Sequence, residues 1–469
     1  MLTKSWKFSL CVILIAGAIG APTASAASAA QINTAIQNGL AALYGEQQTS
    51  GCANSTVTTG CWGYSGYYAA PTGAAVYAFL NAKSNWPAGQ VANYNAAVTA
   101  GITYLLGAAA TATVSTRDDG VNICPGGGTC KAVYWPGEGE QTYSTGLVVG
   151  AIADYVAMLG TPGSVATATG PLAGMTWVQI AQGITNMFAV GQGTTADAGY
   201  GYYGGWRYYY PSNGDSDMST TQWAVFAFIY DQAVGAQAPP ASTATLLQHW
   251  LTIDQVTTAG STFGGACYQP TNPPSATCAG AGPTFSETGG WLLSATWASM
   301  SSSLINNAIS WTNSNWTTTS NNTWYGNFGM PYAMLATYKG LSATIGTTST
   351  SGITTLLDPT CTGAGPNGIT GATPASACNW YQDYEQFLVV NQCGTQSGCS
   401  GTPAGGWYGY GYWTDPLSTA MDVSILAAPS VPVVPVVPSI PVPTSWVLMA
   451  LGLLTIALWR ISAARRVNA

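Results

Sequence analysis

The sequence predicts an all-α chain built as a closed, two-layer ring of about six helical hairpins joined by long loops rich in glycine, aromatics and cysteine. Three observations predict it: six traceable copies of one unit, a run of glycine–aromatic loops at near-regular spacing, and cysteines that fall into neighbouring pairs inside those loops. From Trp62 to Trp407 there are five intervals, a mean period of about 69 residues, long enough for two helices and a loop. A hairpin of this kind exposes an apolar face on each side, and closing the array into a ring covers both.

Taken in order, the first helices of the units begin near Gln31, Tyr94, Trp177, Ser242, Ser303 and Asn379. The second helices begin near Pro71-Thr72-Gly73, Ser144-Thr145-Gly146, Thr220-Thr221-Gln222, Glu287-Thr288-Gly289, Met330-Pro331-Tyr332 and Ser418-Thr419-Ala420. Segments such as Ala74-Ala75-Val76-Tyr77-Ala78-Phe79-Leu80 are apolar on nearly all sides, which places the second helices between an outer layer and a central core. The intervening loops read Gly60-Cys61-Trp62-Gly63-Tyr64, Tyr134-Trp135-Pro136-Gly137, Gly204-Gly205-Trp206-Arg207-Tyr208, Phe263-Gly264-Gly265, Trp324-Tyr325-Gly326 and Gly405-Gly406-Trp407-Tyr408-Gly409-Tyr410.

The two ends read as addresses. Lys4 and Lys7 precede an apolar run from Phe8 to Ile19, and Ala24-Ser25-Ala26 supplies the small residues of a signal-peptidase site, so residues 1–26 are expected to be a removable secretory signal. Residues 27–428 form the repeat domain, and 429–445 are a Pro/Val-rich stalk too dense in proline for a helix. Residues 446–464 are apolar enough for one span, and Arg460, Arg465 and Arg466 place the tail, 465–469, in the cytoplasm. With Cys11 in the signal, ten cysteines remain, and near neighbours pair as Cys52–Cys61, Cys124–Cys130, Cys267–Cys278, Cys361–Cys378 and Cys393–Cys399. Five local disulfides fit export to an oxidising compartment.

Composition removes several function classes. Charged residues are 6% of the chain against about 25% in ordinary globular proteins, and the net charge is -7. Ten basic residues cannot neutralise a row of phosphates, so nucleic acid is excluded as a partner. The single histidine, His249, leaves no His-rich metal site, no Cys-x-x-Cys is present, and neither metal nor cofactor is expected.

Gly204-Gly205-Trp206-Arg207-Tyr208, continued by Asp215-Ser216-Asp217-Met218-Ser219-Thr220-Thr221-Gln222-Trp223-Ala224, resembles the prenyltransferase and squalene-oxidase repeat, the unit of the terpenoid-cyclase and protein-prenyltransferase α/α toroid. The resemblance implies alternating outer and inner helices, with six parallel inner helices pointing their N-termini at one mouth. Asp215-Ser216-Asp217-Met218 departs from the Asp-x-Asp-Asp acid motif of the cyclases in its fourth residue, and it sits at a helix start, where Asp217 or Ser219 reads first as a helix cap. Gly137-Glu138-Gly139-Glu140-Gln141 resembles the thioester motif of complement-type toroids, with Glu138 where the reactive cysteine is required. Ile440-Pro441-Val442-Pro443-Thr444-Ser445-Trp446, the span and the arginines together resemble bacterial PEP-CTERM sorting signals, closest to the IPTL-CTERM variant. That implies signal peptidase and an exosortase-like enzyme as processing partners, and a protein anchored at first in the inner membrane and then displayed at the envelope or released.

The acids gather at second-helix starts. Glu138, Glu140, Asp215 and Asp217 are the catalytic candidates, and Glu287 and Asp415 join Trp62, Trp135, Trp206, Tyr208, Trp407 and Tyr410 as candidate ligand-binding residues of one rim. Indole faces stack on the apolar side of sugar rings and carboxylates accept from their hydroxyls. The expected role is a non-catalytic surface protein binding polysaccharide or matrix proteins. A glycoside hydrolase or polysaccharide lyase is the alternative, since paired carboxyls are what that chemistry needs, and a terpenoid-cyclase-like enzyme is third. Helix capping accounts for the same acids without any chemistry.

Overall fold

The computed structural model describes residues 27–428 and 432, apart from 137–138, 197–201, 210–214, 272–276, 281, 317–325, 358–363, 366–368, 371–378, 395–398, 400–401 and 412. The expected secretory signal, the span and the basic tail lie outside the described residues, as does all of the stalk but Pro432.

Twelve α-helices are described, alternating between the two helices of each unit. The first helices are α1 (Ala29–Glu46), α3 (Val91–Ala108), α5 (Trp177–Val190), α7 (Ala241–Asp254), α9 (Ser302–Asn315) and α11 (Trp380–Val390). The second helices are α2 (Ala69–Asn81), α4 (Gln141–Leu159), α6 (Met218–Val234), α8 (Phe285–Trp297), α10 (Pro331–Thr344) and α12 (Leu417–Leu426). Three of the first helices open with a capping box: Ser28 with Gln31, Thr176 with Gln179, and Asn379 with Gln382.

The second helices touch in a closed cycle, α2 to α4 to α6 to α8 to α10 to α12 and back to α2, and α1 packs on both α12 and α11 to join the two ends of the chain. Side chains on every face of these helices are buried; all of α2 but its last residue is. That explains why α4, long and apolar enough to cross a membrane, is a core helix: 72% of its most apolar window is covered by protein. Helices α8 and α10 approach so closely that a side chain on Gly340 would sit 2.2 Å from the Gly289 carbonyl.

The repeated residues of the loops make repeated bonds. In four units the tryptophan of the loop donates its backbone N–H to a threonine in the first turns of the second helix: Trp62 to Thr72, Trp135 to Thr145, Trp206 to Thr221 and Trp407 to Thr419. Its indole N–H donates to a carbonyl near the end of the first helix, at Leu43, Leu105, Phe188 and Leu388. In the fourth unit Ala266 stands in the loop, and Trp291 of α8 supplies the indole bond instead, to Leu251. A glutamine four residues after that carbonyl ties neighbouring units together. Gln47, Gln192, Gln255 and Gln392 each donate to a loop glycine carbonyl and to a carbonyl of the next first helix around the cycle. At Gly204 the backbone takes a φ of 106° and a Cβ would fall 2.0 Å from the Leu246 carbonyl, so only glycine fits.

The chain is mainly helical but not purely so. Residues Ala110–Val114 (β1) and Cys130–Tyr134 (β2) form an antiparallel hairpin that packs on α5, and Ala364–Gly365 (β3) pairs with Ile369–Thr370 (β4). The alternating Ala110-Thr111-Ala112-Thr113-Val114 is a strand pattern, and the all-α expectation overlooked it. Four of the five expected disulfides are formed, Cys52–Cys61, Cys124–Cys130, Cys267–Cys278 and Cys393–Cys399, which fits an extracellular or envelope location; Cys361 and Cys378 lie outside the described residues.

Candidate functional site

A cavity of about 490 Å³ opens where the second helices begin. Every one of the six contributes a residue from its first two turns: Ala70, Tyr143, Ser219, Glu287, Tyr332 and Leu417. Loops add Tyr64, Tyr67, Glu140, Tyr208, Tyr268 and Trp413, so the walls are largely aromatic. Tyr332 and Trp413 stack with ring centres 4.3 Å apart and planes 8° from parallel, Tyr143 stacks on Tyr208 at 5.8 Å, and Tyr143 lies 5.5 Å from Trp413.

Hydroxyls hold these rings in place. Tyr143 donates to the Ser219 hydroxyl at 2.6 Å, and Ser219 donates to Asp217 Oδ1 at 2.5 Å. Tyr332 donates to the Ser219 carbonyl and accepts from Gln222, each at 2.7 Å. Burial pushes the phenols of Tyr143 and Tyr332 well above their ordinary range, so both remain protonated donors.

The acids divide into two groups. Asp217 is the N-cap of α6 and accepts from the Thr220 N–H; its other oxygen pairs with Arg207, which also reaches Asp215 at 3.3 Å and donates to the Tyr268 hydroxyl at 2.8 Å. Burial raises the Asp217 carboxyl and Arg207 opposes that rise. Both acids of the Asp215-Ser216-Asp217 motif are therefore engaged in structural bonds, which is the capping reading. Glu287 differs. It is 6% exposed in the cavity wall, Oε1 accepts a long bond of 3.3 Å from Ser286, and Oε2 has no hydrogen-bond partner among the described residues. Burial, then the charge of Asp217, pushes its carboxyl well above the usual range, and wholly buried Asp254 is raised too, by burial first and then by the charges of Glu287 and Asp217. Glu140 precedes α4, makes no side-chain cap and stands half-buried in the same wall.

The other expected site residues are placed as follows. Trp62, Trp135, Trp206 and Trp407 are 0–2% exposed and spend their indole N–H groups on helix carbonyls, so they pack the layers together and present no face at the rim. Asp415 is outside the cavity lining: it accepts from Thr419 and faces Glu46, whose carboxyl is raised to about 9 by burial first and by Asp415 second. Tyr410 pairs with Trp413 through a backbone bridge and does not line the cavity. Tyr208, Glu140 and Glu287 do line it, and Glu138 lies outside the described residues. Tyr143, Tyr332 and Trp413 were missed by sequence reading. Their signal is position, since Tyr143 and Tyr332 occupy the first turns of second helices, on the face turned toward the axis.

Among the described residues no group of acids, histidines or cysteines is arranged to hold a metal ion. The chain matches no protein-family model and no curated protein sequence.

The buried acids carry a pH dependence. Asp154 and Glu385 are raised to about 7 and Glu46 to about 9, and Asp231, Asp254, Glu287 and Asp422 move upward as well, burial being the first cause in each. An acid raised in the fold contributes stability that is complete below its unfolded value and is lost as pH rises through the folded one. Lys339, buried and lowered to about 7, opposes this, because its contribution grows from pH 7 upward. Seven carboxyls outweigh one amine. The expected result is a melting temperature lower by roughly 5–10 °C at pH 9 than at pH 5, read by circular dichroism; a rise over that interval would contradict the assignment.

Proposed function

We propose that this is an exported protein of the cell envelope, an α/α toroid of the prenyltransferase and squalene-oxidase repeat kind, whose mouth binds glycan. The carrying observation is the cavity itself: stacked Tyr and Trp walls around a carboxyl, Glu287, one of whose oxygens has no partner among the described residues. A volume of about 490 Å³ falls in the range of small-ligand sites, and a few polar groups on apolar walls is their usual composition. The resemblance of the C-terminal segment supports display through a membrane span and an exosortase-like partner, and polysaccharide or matrix protein is the partner expected outside.

Isothermal titration of the full-length chain, oxidised and held in mild detergent, against neutral and acidic polysaccharides tests the reading. Trp413→Ala is expected to weaken binding of the preferred glycan at least tenfold while the melting curve stays cooperative. Failure of every polysaccharide to bind would overturn it.

One observation favours a second reading, a glycoside hydrolase. Glu287 and Glu140 line the same cavity in unlike surroundings, the first with its carboxyl pushed well above the usual range by burial and the second half-buried. Two carboxyls of divided character are what an acid and a base require. New reducing ends detected by mass spectrometry, abolished in Glu287→Gln with binding retained, would establish it.

A further inference from the structure

The cavity is blind. Leu147 lines its inner end and also the wall of a second void beneath it, and that void is only about 20 Å³, room for about one water. Trp223, Phe226, Leu335, Lys339 and Met421 fill the axis around that void, each under 7% exposed. A polymer therefore cannot thread the molecule. Among the described residues, a linear chain that fills the cavity as far as Leu147 does so with an end.

The cavity is also unsuited to anions. Glu140 precedes α4 and Asp217 caps α6, so the positive ends of these two helices already face carboxyls. Arg207, which lies over the rings of Tyr208 and Tyr268, is held by Asp215, Asp217 and the Tyr268 hydroxyl. None of the residues lining the cavity is a lysine or an arginine. A carboxylate or sulfate brought against these walls would meet Glu140 and find no charge to offset its lost hydration. An uncharged ring keeps its hydroxyls for Glu287, Ser219 and the tyrosines, and its apolar face for Trp413.

We propose that the cavity recognises the terminal sugar units of an uncharged glycan, entering end-on, and rejects uronic and sulfated chains. This rests on the glycan-binding reading and adds to it the charge of the ligand and the part of the chain that is bound.

The experiment titrates the full-length chain with hexasaccharides of glucose, N-acetylglucosamine and mannose, and with hexagalacturonate and hexamannuronate. The best neutral binder is then retested with a bulky label fixed to its reducing end, and with a bulky acetal on its non-reducing ring. At least one neutral hexamer is expected to bind ten times or more tightly than either uronate, and one label is expected to abolish binding while the other is tolerated. Glu140→Lys, which sets a cation in the wall, is expected to raise uronate affinity at least tenfold over the unaltered chain, a gain that misfolding cannot imitate. Equal tolerance of both labels, or uronates bound as tightly as neutral chains, would overturn the end-on, uncharged assignment and leave glycan binding standing. No binding by any saccharide would overturn the glycan reading, and this inference with it.

Discussion

Reducing the four described disulfides is expected to remove on the order of 10 kcal/mol of stability and to unfold the domain at room temperature. They close loops with sequence separations of 9, 6, 11 and 6 residues. Loops this short each take about 2–3 kcal/mol of entropy from the unfolded chain, and the sum rivals the whole stability of an ordinary domain, about 5–15 kcal/mol. One of the bridges, Cys267–Cys278, also frames the cavity. Cys267 adjoins Tyr268 and Cys278 adjoins Ala279 and Gly280, all of which line it. Urea unfolding with and without dithiothreitol measures the effect, and an unchanged midpoint would show that the loops are held by their packing alone. The double variant Cys267→Ser with Cys278→Ser is expected to lose about 2–3 kcal/mol and to loosen the cavity wall before the rest of the molecule.

Trp206→Ala is expected to cost about 3–5 kcal/mol, the range for deleting a large buried aromatic. Trp206 is 1% exposed, packs edge-on against Phe228 and ties its loop to two helices: its indole donates to the Phe188 carbonyl at the end of α5, and its backbone N–H donates to the Thr221 hydroxyl oxygen of α6. The deletion leaves a cavity and an unpaired carbonyl at the same place. Trp206→Phe separates the two, since it keeps most of the volume and loses the bond, for an expected cost of about 1–3 kcal/mol. Trp407→Ala should behave as Trp206→Ala does, since it makes the same pair of bonds. Urea unfolding gives the values. A loss of glycan binding at unchanged stability would return Trp206 to the rim, where sequence reading had put it.

That misplacement has a physical cause. A glycine–tryptophan loop looks the same whether the indole faces a ligand or a neighbouring helix. The choice depends on a carbonyl 18 to 30 residues earlier in the chain, at Leu43, Leu105, Phe188 or Leu388. The second helices add to the ambiguity. Because α2, α4 and α6 are covered on all sides, their sequences are apolar all round and carry no stripe to say which residue faces the axis. Tyr143 and Tyr332 were therefore not separable from the other buried aromatics. The acids were partly legible: Asp217 reads as a cap and is one, and Glu287 reads as a rim acid and lies in the cavity wall. That Asp215 and Asp217 are both taken by Arg207, and that one Glu287 oxygen has no partner among the described residues, needed coordinates.

By itself the sequence determined what depends on near neighbours: where the helices start, since Ser28, Thr176 and Asn379 cap within three residues; which cysteines pair, across 6 to 11 residues in the four described bridges; and that one unit recurs. What depends on residues brought together from different units is set by the folded arrangement alone. Tyr143, Ser219, Glu287, Tyr332 and Trp413 meet around one axis although as many as 270 positions separate them, and their burial, bonding and charge follow from that meeting. Local propensity acts through bonds a few residues long, whereas a cavity is formed by the closure of the whole cycle, and no segment contains the information about which of its faces will be turned inward.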